Sequence, residues 1–380
     1  MFRLTRPAAL LASFLATLAA AGIAGAAPAA SAAPAAPTPA VRAAAAAGWL
    51  ARQFLGGDHL QSCFGTQCFP DYGLTADAVL GLASTHSAGT AITQATGWLA
   101  ANAASYIGAS DGTGPYPGAY AKLALVAETT GNDPHAFGGV NLLAALRALE
   151  CPHVGCPGAA TAGEFRNTLT DGGFPNVVTQ SLAIVALTRS TRSVDHQAVP
   201  AAASFLAGQQ CSPTGGFPTF FDSGGACVAD VDATAFAVQA LLAAGAAPTG
   251  AVDWLAAQRQ PSGGFAAGGV TNTNTTGVAV QALSAAGRDT AISQVYVSAQ
   301  QLGCTATPAD RGAISFSGPA SFKPATAQRA TPQAIFAFTR VPYAALSAAG
   351  AAPGAAILTC ATASPPPTPT PSASAPAPSP

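Results

Sequence analysis

The side chains best placed to do chemistry stand at Asp230-Val231-Asp232-Ala233-Thr234. Two carboxyl groups this close raise each other's affinity for a proton, and a carboxyl kept protonated near neutral pH is a general acid. The same spacing returns one repeat later as Asn272-Thr273-Asn274, and an amide cannot take over a proton donor's role. Asp and Asn do share another ability: at a helix N-cap, either side-chain oxygen accepts from an otherwise orphan backbone N–H. Capping is thus the first reading of Asp230, Asp232, Asn272 and Asn274, with Asp232 as acid beside Asp230 as its competitor. The run Cys151-Pro152-His153-Val154-Gly155-Cys156 has a spacing that could ligate zinc, but no second half-site follows it. His59, His86, His135, His153 and His196 fall in predicted loops or at helix ends, and no Gly-x-Ser-x-Gly elbow accompanies Asp195-His196. Neither a metal nor a cofactor is expected.

The chain as a whole narrows the field. Of 380 residues only 8% are charged, the formal net charge is -1, and Lys122 and Lys323 are the only lysines. Nucleic-acid recognition and anionic membrane surfaces both need clustered Lys and Arg, so neither partner is expected. A hydrophobic fraction of 49% supports a sizeable core. Arg3 and Arg6, an uncharged run from Ala8 to about Ile23, and the small residues Ala24-Gly25-Ala26 form the three-part pattern of a secretory signal over 1–26. An Ala/Pro spacer follows over 27–42, and 361–380 is a Pro/Ser/Thr-rich tail, read as disordered and spacer-like, of a kind suited to a cell wall. Secretion is the expectation, with no membrane span once the signal is removed. Export favours disulfides, and the sequential pairs Cys63/Cys68, Cys151/Cys156, Cys211/Cys227 and Cys304/Cys360 each suit one loop or one chain end.

The elements that would position these groups are repeats. Asp230–Leu241 and Asn272–Leu283 align without gaps, and Asp71–Leu82 fits the same frame with Thr75 matching Thr234 and Thr276. Asn176–Leu187 and the stretch ending at Phe338, with Thr331, fit more loosely. Upstream of each lies a second helical pattern, such as Val252-Asp253-Trp254-Leu255, and between the two stands a glycine signal: Gly172-Gly173-Phe174, Gly215-Gly216-Phe217, Gly263-Gly264-Phe265. Glycine there ends one helix and permits a positive φ in the connection. The spacing predicts twelve helices, from 43–55 and 75–85 through to 290–302 and 329–348. The second member of each pair lacks a charged face and therefore belongs inside. Six such hairpins over 43–360 give an all-α fold, an α6/α6 toroid with six inner and six outer helices.

The repeat Trp/Phe-Leu-x-x-Gln, Gly-Gly-Phe, Asp-x-Asp-Ala-Thr-x-x-Ala-Val-x-Ala-Leu resembles the prenyltransferase and squalene-oxidase repeat of the terpenoid cyclase and protein prenyltransferase superfamily. The resemblance spans roughly residues 43 to 350 and implies the toroid. It also sets Asp230-Val231-Asp232-Ala233 beside the Asp-x-Asp-Asp motif of class II terpene cyclases, where Asp232 would fall on the proton donor. Ala233 replaces the last carboxylate. The zinc site of the prenyltransferase branch has no counterpart here. The exported toroids of cobalamin carriers imply a corrinoid-like option, without their companion β-domain. The expected function is non-catalytic binding of a small apolar or amphipathic molecule, or of a cell-surface protein. In that reading Gln239, Gln281, Phe236 and Asn274 line a mouth at the inner-helix N-termini, and Phe174, Phe217 and Phe265 stand around it. Most loop aromatics are expected to serve as anchors.

Overall fold

Four inner helices open on the polar residue that the repeat supplies. Asp71, Asn176, Asp230 and Asn272 each accept through a side-chain oxygen from the backbone N–H three residues on, at Leu74, Thr179, Ala233 and Thr275, over 2.8–2.9 Å. The threonine that follows does a second job. Thr75, Thr234 and Thr276 donate to the carbonyl of the cap residue at 2.6–2.7 Å and accept from a loop N–H at Leu60, Phe217 and Phe265, at 2.8–3.0 Å. Each pins its incoming loop to the first turn of its helix. Gln180 takes this place in the third inner helix, accepting from Phe165 at 2.9 Å. All four side chains are fully buried, where an unpaired hydroxyl or amide is costly.

The computed structural model describes residues 36–108, 114–153, 156–158, 161–167, 175–221, 224–248 and 250–360. The signal, most of the spacer, the tail, and Gly172, Gly173 and Phe174 lie outside them. The helices run in the order α1 (Pro39–Ala51), α2 (Tyr72–Ala83), α3 (Gly89–Ala101), α4 (Ala103–Tyr106), α5 (Pro117–Thr129), α6 (Leu142–Arg147) and α7 (Val177–Arg189). There follow α8 (Ser193–His196), α9 (Val199–Gly208), α10 (Val231–Ala243), α11 (Ala251–Ala257), α12 (Thr273–Ala285), α13 (Ala291–Gln300), α14 (Pro324–Ala334) and α15 (Phe336–Thr339). Helix α2 packs on α5, α5 on α7, α7 on α10, α10 on α12, α12 on α14, and α14 returns to α2. The inner ring is closed. Each of α1, α3, α6, α9, α11 and α13 lies outside, against the two inner elements that flank it. The fold is the α6/α6 toroid.

Long connections lead from outer to inner helices, so they gather at the end where the inner helices begin. Three contain short antiparallel hairpins: β1 (Gln61–Phe64) with β2 (Gln67–Pro70), β3 (Phe217–Pro218) with β4 (Ala229–Asp230), and β5 (Phe265–Ala267) with β6 (Val270–Asn272). The Gly-Gly pairs before β3 and β5 divide two tasks. Gly263 has φ +90°, a region that favours glycine. A Cβ on Gly264 would lie 2.9 Å from the Tyr296 ring, so its neighbour is glycine to let an outer-helix aromatic close over the loop. Gly215 and Gly216 repeat this, with Trp254 as the aromatic.

Helix boundaries differ from the sequence expectation at several places, and two of the differences have a plain local cause. Helix α1 starts at Pro39, four residues earlier than 43, because Thr38 caps it and Pro39 is pre-set for the first helical position. The last helix does not run to 348. It stops at Thr339, with Arg340 at φ +59°, since Pro342 has no N–H to donate and disfavours helical backbone at Val341. Residues 341–346 instead cross the C-terminal end of the inner ring. Four disulfides join Cys63–Cys68, Cys151–Cys156, Cys211–Cys227 and Cys304–Cys360. No described helix is long and apolar enough to cross a membrane.

The ring closes only because its contact faces are small. A Cβ on Gly277 of α12 would lie 2.1 Å from the Gln333 carbonyl oxygen of α14, whereas one on exposed Gly97 of α3 would meet nothing. Gly277→Ala is expected to cost about 2 kcal/mol of unfolding free energy by overpacking, and Gly97→Ala to add roughly 0.5–1 kcal/mol through helix propensity. Chemical denaturation of the two variants checks the opposite signs. A thiol titration of the unfolded, unreduced protein is expected to find no free thiol; several per chain would contradict the disulfide set.

Candidate functional site

Counting from the first residue of each inner helix, and aligning α14 through Thr331, the second positions are Gly73, Gly118, Val178, Asp232, Asn274 and Arg329. All six keep some solvent exposure. The sixth positions are Asp77, Lys122, Leu182, Phe236, Val278 and Gln333, of which Asp77, Lys122 and Gln333 are still partly exposed. At the ninth position every residue is buried. Outer helices cover the other faces, so the solvent reaching these side chains comes down the toroid axis. The result is a pit entered from the N-terminal mouth and at least about 6 Å deep, the rise of four helical residues.

The polar side chains of the pit are tied to one another. Lys122 Nζ lies 2.8 Å from Asp77 Oδ1. Burial alone would lower the lysine's pKa, but Asp77, with Tyr106 and Asp71, raises it, so the ammonium stays charged. Asn274 Nδ2 donates to Gln333 Oε1 at 2.6 Å. Thr275 Oγ1 donates to Asp232 Oδ2 at 3.1 Å, while Asp232 Oδ1 is buried with no hydrogen-bond partner. Burial, then the neighbouring charge of Asp230, pushes the Asp232 carboxyl up to about 6. Of the four residues in these two motifs, Asp230 and Asn272 cap their helices. Asp232 and Asn274 stand two residues further on, off the cap, and turn to the axis and the adjacent inner helix.

The bottom is closed by the C-terminal strap. Tyr343 stacks on Phe236 at 5.6 Å and meets Phe336 edge-on at 5.5 Å. Its N–H donates to Gln239 Oε1 at 3.2 Å, Gln239 Nε2 donates to Gln281 Oε1 at 3.2 Å, and Gln281 Nε2 donates to the Val341 carbonyl at 2.7 Å. Arg189 donates to the carbonyls of Tyr343 and Leu346 at 2.7 and 2.8 Å and pairs with Glu128 at 3.3 Å. Burial pushes that glutamate up to about 8 against the pull of Arg189. Burial, and then the charges of Asp77 and Asp232, raise the Tyr343 hydroxyl well above its ordinary value, so it stays protonated. Gln239 and Gln281, expected as open amides at the floor, are spent on the strap, and Phe236 stacks on Tyr343. Phe217 and Phe265 are fully buried under their loops as anchors.

The rim is aromatic. His59 stacks on Trp98 (4.7 Å), Trp98 on Tyr72 (5.2 Å), and Tyr72 meets Tyr106 (5.7 Å). Arg329 donates to Ser62 Oγ at 2.5 Å, and Ser62 in turn to Asp71, fastening the β1–β2 hairpin to α14. Elsewhere the chemistry is spent. Cys151 and Cys156 lie beside His153, but their thiols form a disulfide. Asp195, fully buried, takes a hydrogen bond from Ser190 at 2.6 Å and lies 2.8 Å from His135 and 2.9 Å from Arg147. That set ties α6 and α8 together and offers no free nucleophile. A groove of about 800 Å³ along α3, walled by residues such as Thr93, Gly97 and Ala351, carries no titratable group.

Asp77, Lys122, Arg329, Tyr106 and Tyr343 were not singled out from the sequence. One signal was available: a charged residue inside an otherwise apolar helix, at the same position of two neighbouring inner helices.

No protein-family profile and no curated protein matches the sequence. Solved structures do. The type II terpene cyclase MstE from Scytonema superposes with a TM-score of 0.55 at 15% identity, over 80% of this chain and 97% of the cyclase. An inactive variant of the α-1,6-mannanase GH76A of Salegentibacter sp. HEL1_6, bound to α-1,6-mannotriose, gives 0.53 at 13% identity, over 79% and 99%. A protein from Actinoplanes gives 0.53 at 14%, over 81% and 99%. The similarity is one of fold: an α/α toroid.

The electrostatics of the pit yield a direct check. A ¹³C NMR titration of the Asp232 carboxyl carbon is expected to show a midpoint near 6, and Asp230→Asn, which keeps the cap, is expected to move it down. By linkage, Asp232 stabilises the fold fully below its unfolded pKa of about 3.9 and loses that contribution as pH rises through about 6. Asp232→Asn should remove this part of the pH dependence of the melting temperature.

Proposed function

We propose that this is a secreted binding protein whose site is the axial pit, taking a small amphipathic molecule. The observation that carries the reading is the exposure pattern: polar residues at the second and sixth inner-helix positions reach solvent, while Tyr343 seals the ring below them. Concave sites with a few placed polar groups and apolar surroundings are how small ligands are held. Four disulfides suit a chain that leaves the cytoplasm.

A second reading rests on Asp232 itself, with its pKa near 6, its bare Oδ1 and a fold similar to that of a type II terpene cyclase. In it, Asp232 is the acid that protonates an alkene. The pit argues against this. A cationic cascade needs aromatic faces around the cation, and the axial walls here carry Asp77, Lys122, Asn274 and Gln333.

The two readings separate in one experiment. The mature protein is incubated with a pool of polyprenyl, triterpene, corrinoid and glycoside compounds, and what it retains is extracted and weighed by mass spectrometry. The expected result is retention of an unaltered amphipathic compound, weakened in Asp232→Asn. A cyclised product that disappears in that variant would establish the acid reading, and retention of nothing would leave a surface partner as the next candidate.

A further inference from the structure

We infer that the Pro-rich segment 361–380 docks on its own chain, along an apolar strip that α13, α1 and the C-terminal segment leave uncovered. The strip has four members: Ile292 and Val295 of α13, 47% and 67% exposed, Val41 of α1, 51%, and Ile357, 57%. They belong to one surface. Arg42, next to Val41, donates to the Ser298 carbonyl of α13 at 3.3 Å. The chain before Ile357 lies on α1, where the Ala356 carbonyl holds the space a Cβ on Gly48 would need. Between these elements opens a cavity of about 260 Å³, walled by Pro37, Val41, Ala45, Leu302 and Leu358 among others. The one charged residue lining it is Arg42, whose guanidinium is turned to Ser298 and Gln301. Other outer helices show small or polar residues on the outside: Thr90, Thr93 and Gln94 on α3, and Ala201, Ser204 and Ala207 on α9. A contiguous group of exposed branched apolar side chains marks a contact surface.

Its size and place select the occupant. Four half-exposed side chains offer on the order of a few hundred Å², less than the about 800 Å² per partner that a standard protein interface buries. That is too little for a second copy and enough for a short extended segment. Such a segment starts here. Cys360 is bonded to Cys304, four residues past the end of α13 and itself part of the cavity wall. As polyproline II, residues 361–380 reach about 60 Å, whereas α13 is about 15 Å long. The segment holds eight prolines and no charged side chain, so it brings apolar rings and no ion to desolvate. Proline has no N–H, and a polyproline II chain is already extended before it docks, so little ordering entropy opposes the contact. Tyr296, half-buried beside Val295, adds the kind of ring that such segments pack against.

The test is methyl NMR of the mature protein, with isoleucine and valine methyl groups labelled, beside a chain ending at Cys360. Nuclear Overhauser contacts from the Ile292 and Val295 methyls to proline ring protons are expected in the full chain and are lost in the shortened one. Light scattering is expected to give the mass of one chain for both. A synthetic peptide of residues 361–380, added to the shortened chain, should move the methyl signals of Ile292, Val295 and Val41 back toward their full-chain positions. Val295→Asp, at an exposed site, is expected to melt like the wild type and to lose the Ile292 contacts. Identical signals for these three residues in the full and shortened chains overturn the inference. A dimer overturns it as well. One that dissociates on truncation puts the segment on a second copy, and one that survives truncation but not Val295→Asp makes the strip an interface between copies. None of these outcomes bears on the axial pit, whose ligand is read by mass spectrometry.

Discussion

Inside the inner ring backbone packs directly against backbone. At Gly277 and Gly81 the space a Cβ would need is already held by the Gln333 and Pro332 carbonyls of α14. Six helices can close a ring this tight only if the faces they turn to each other are glycine, alanine and threonine. Larger side chains are then left two directions, outward to the second ring or inward to the axis. Outward lies the apolar core, so polar side chains collect on the axis, and the site follows from the packing.

The buried threonines make that packing reproducible. A loop must return from each outer helix to the start of the next inner one, and its backbone N–H groups need partners once buried. At Thr75, Thr234 and Thr276 one hydroxyl serves both the loop and the cap carbonyl, and at Thr331 it accepts from the Ile314 N–H and donates to the Ile314 carbonyl. The Gly-Gly pair lets the loop turn and lets Trp254 or Tyr296 close over it. These devices explain why the repeat keeps Gly-Gly-Phe and Thr where its other positions drift.

What was legible in the sequence and what was not divides along the same line. The twelve helices, the closed ring and the four disulfides could be read because each is signalled locally: apolar runs, caps, glycine pairs, neighbouring cysteines. The strap could not, because Ala344-Ala345 and Ala348-Ala349 read as helix and only Pro342 and the left-handed turn at Arg340 redirect them. The site could not be read either. Asp232 and Asn274 share sequence spacing with true caps, and two residues separate a side chain that serves its own backbone from one that turns to the adjacent inner helix. Gln239 and Gln281 looked free because their partners, Tyr343 and Val341, lie 104 and 60 residues away.

The strap also decides what kind of site a toroid can offer. An inner ring open at both ends is a channel, and a channel selects by width alone. Here Arg189, Gln239 and Gln281 hold 341–346 across one end through main-chain carbonyls and an amide, so the closure does not depend on the side chains they span except Tyr343. That one side chain stacks on Phe236 and meets Phe336 edge-on, so the closed end of the ring is aromatic.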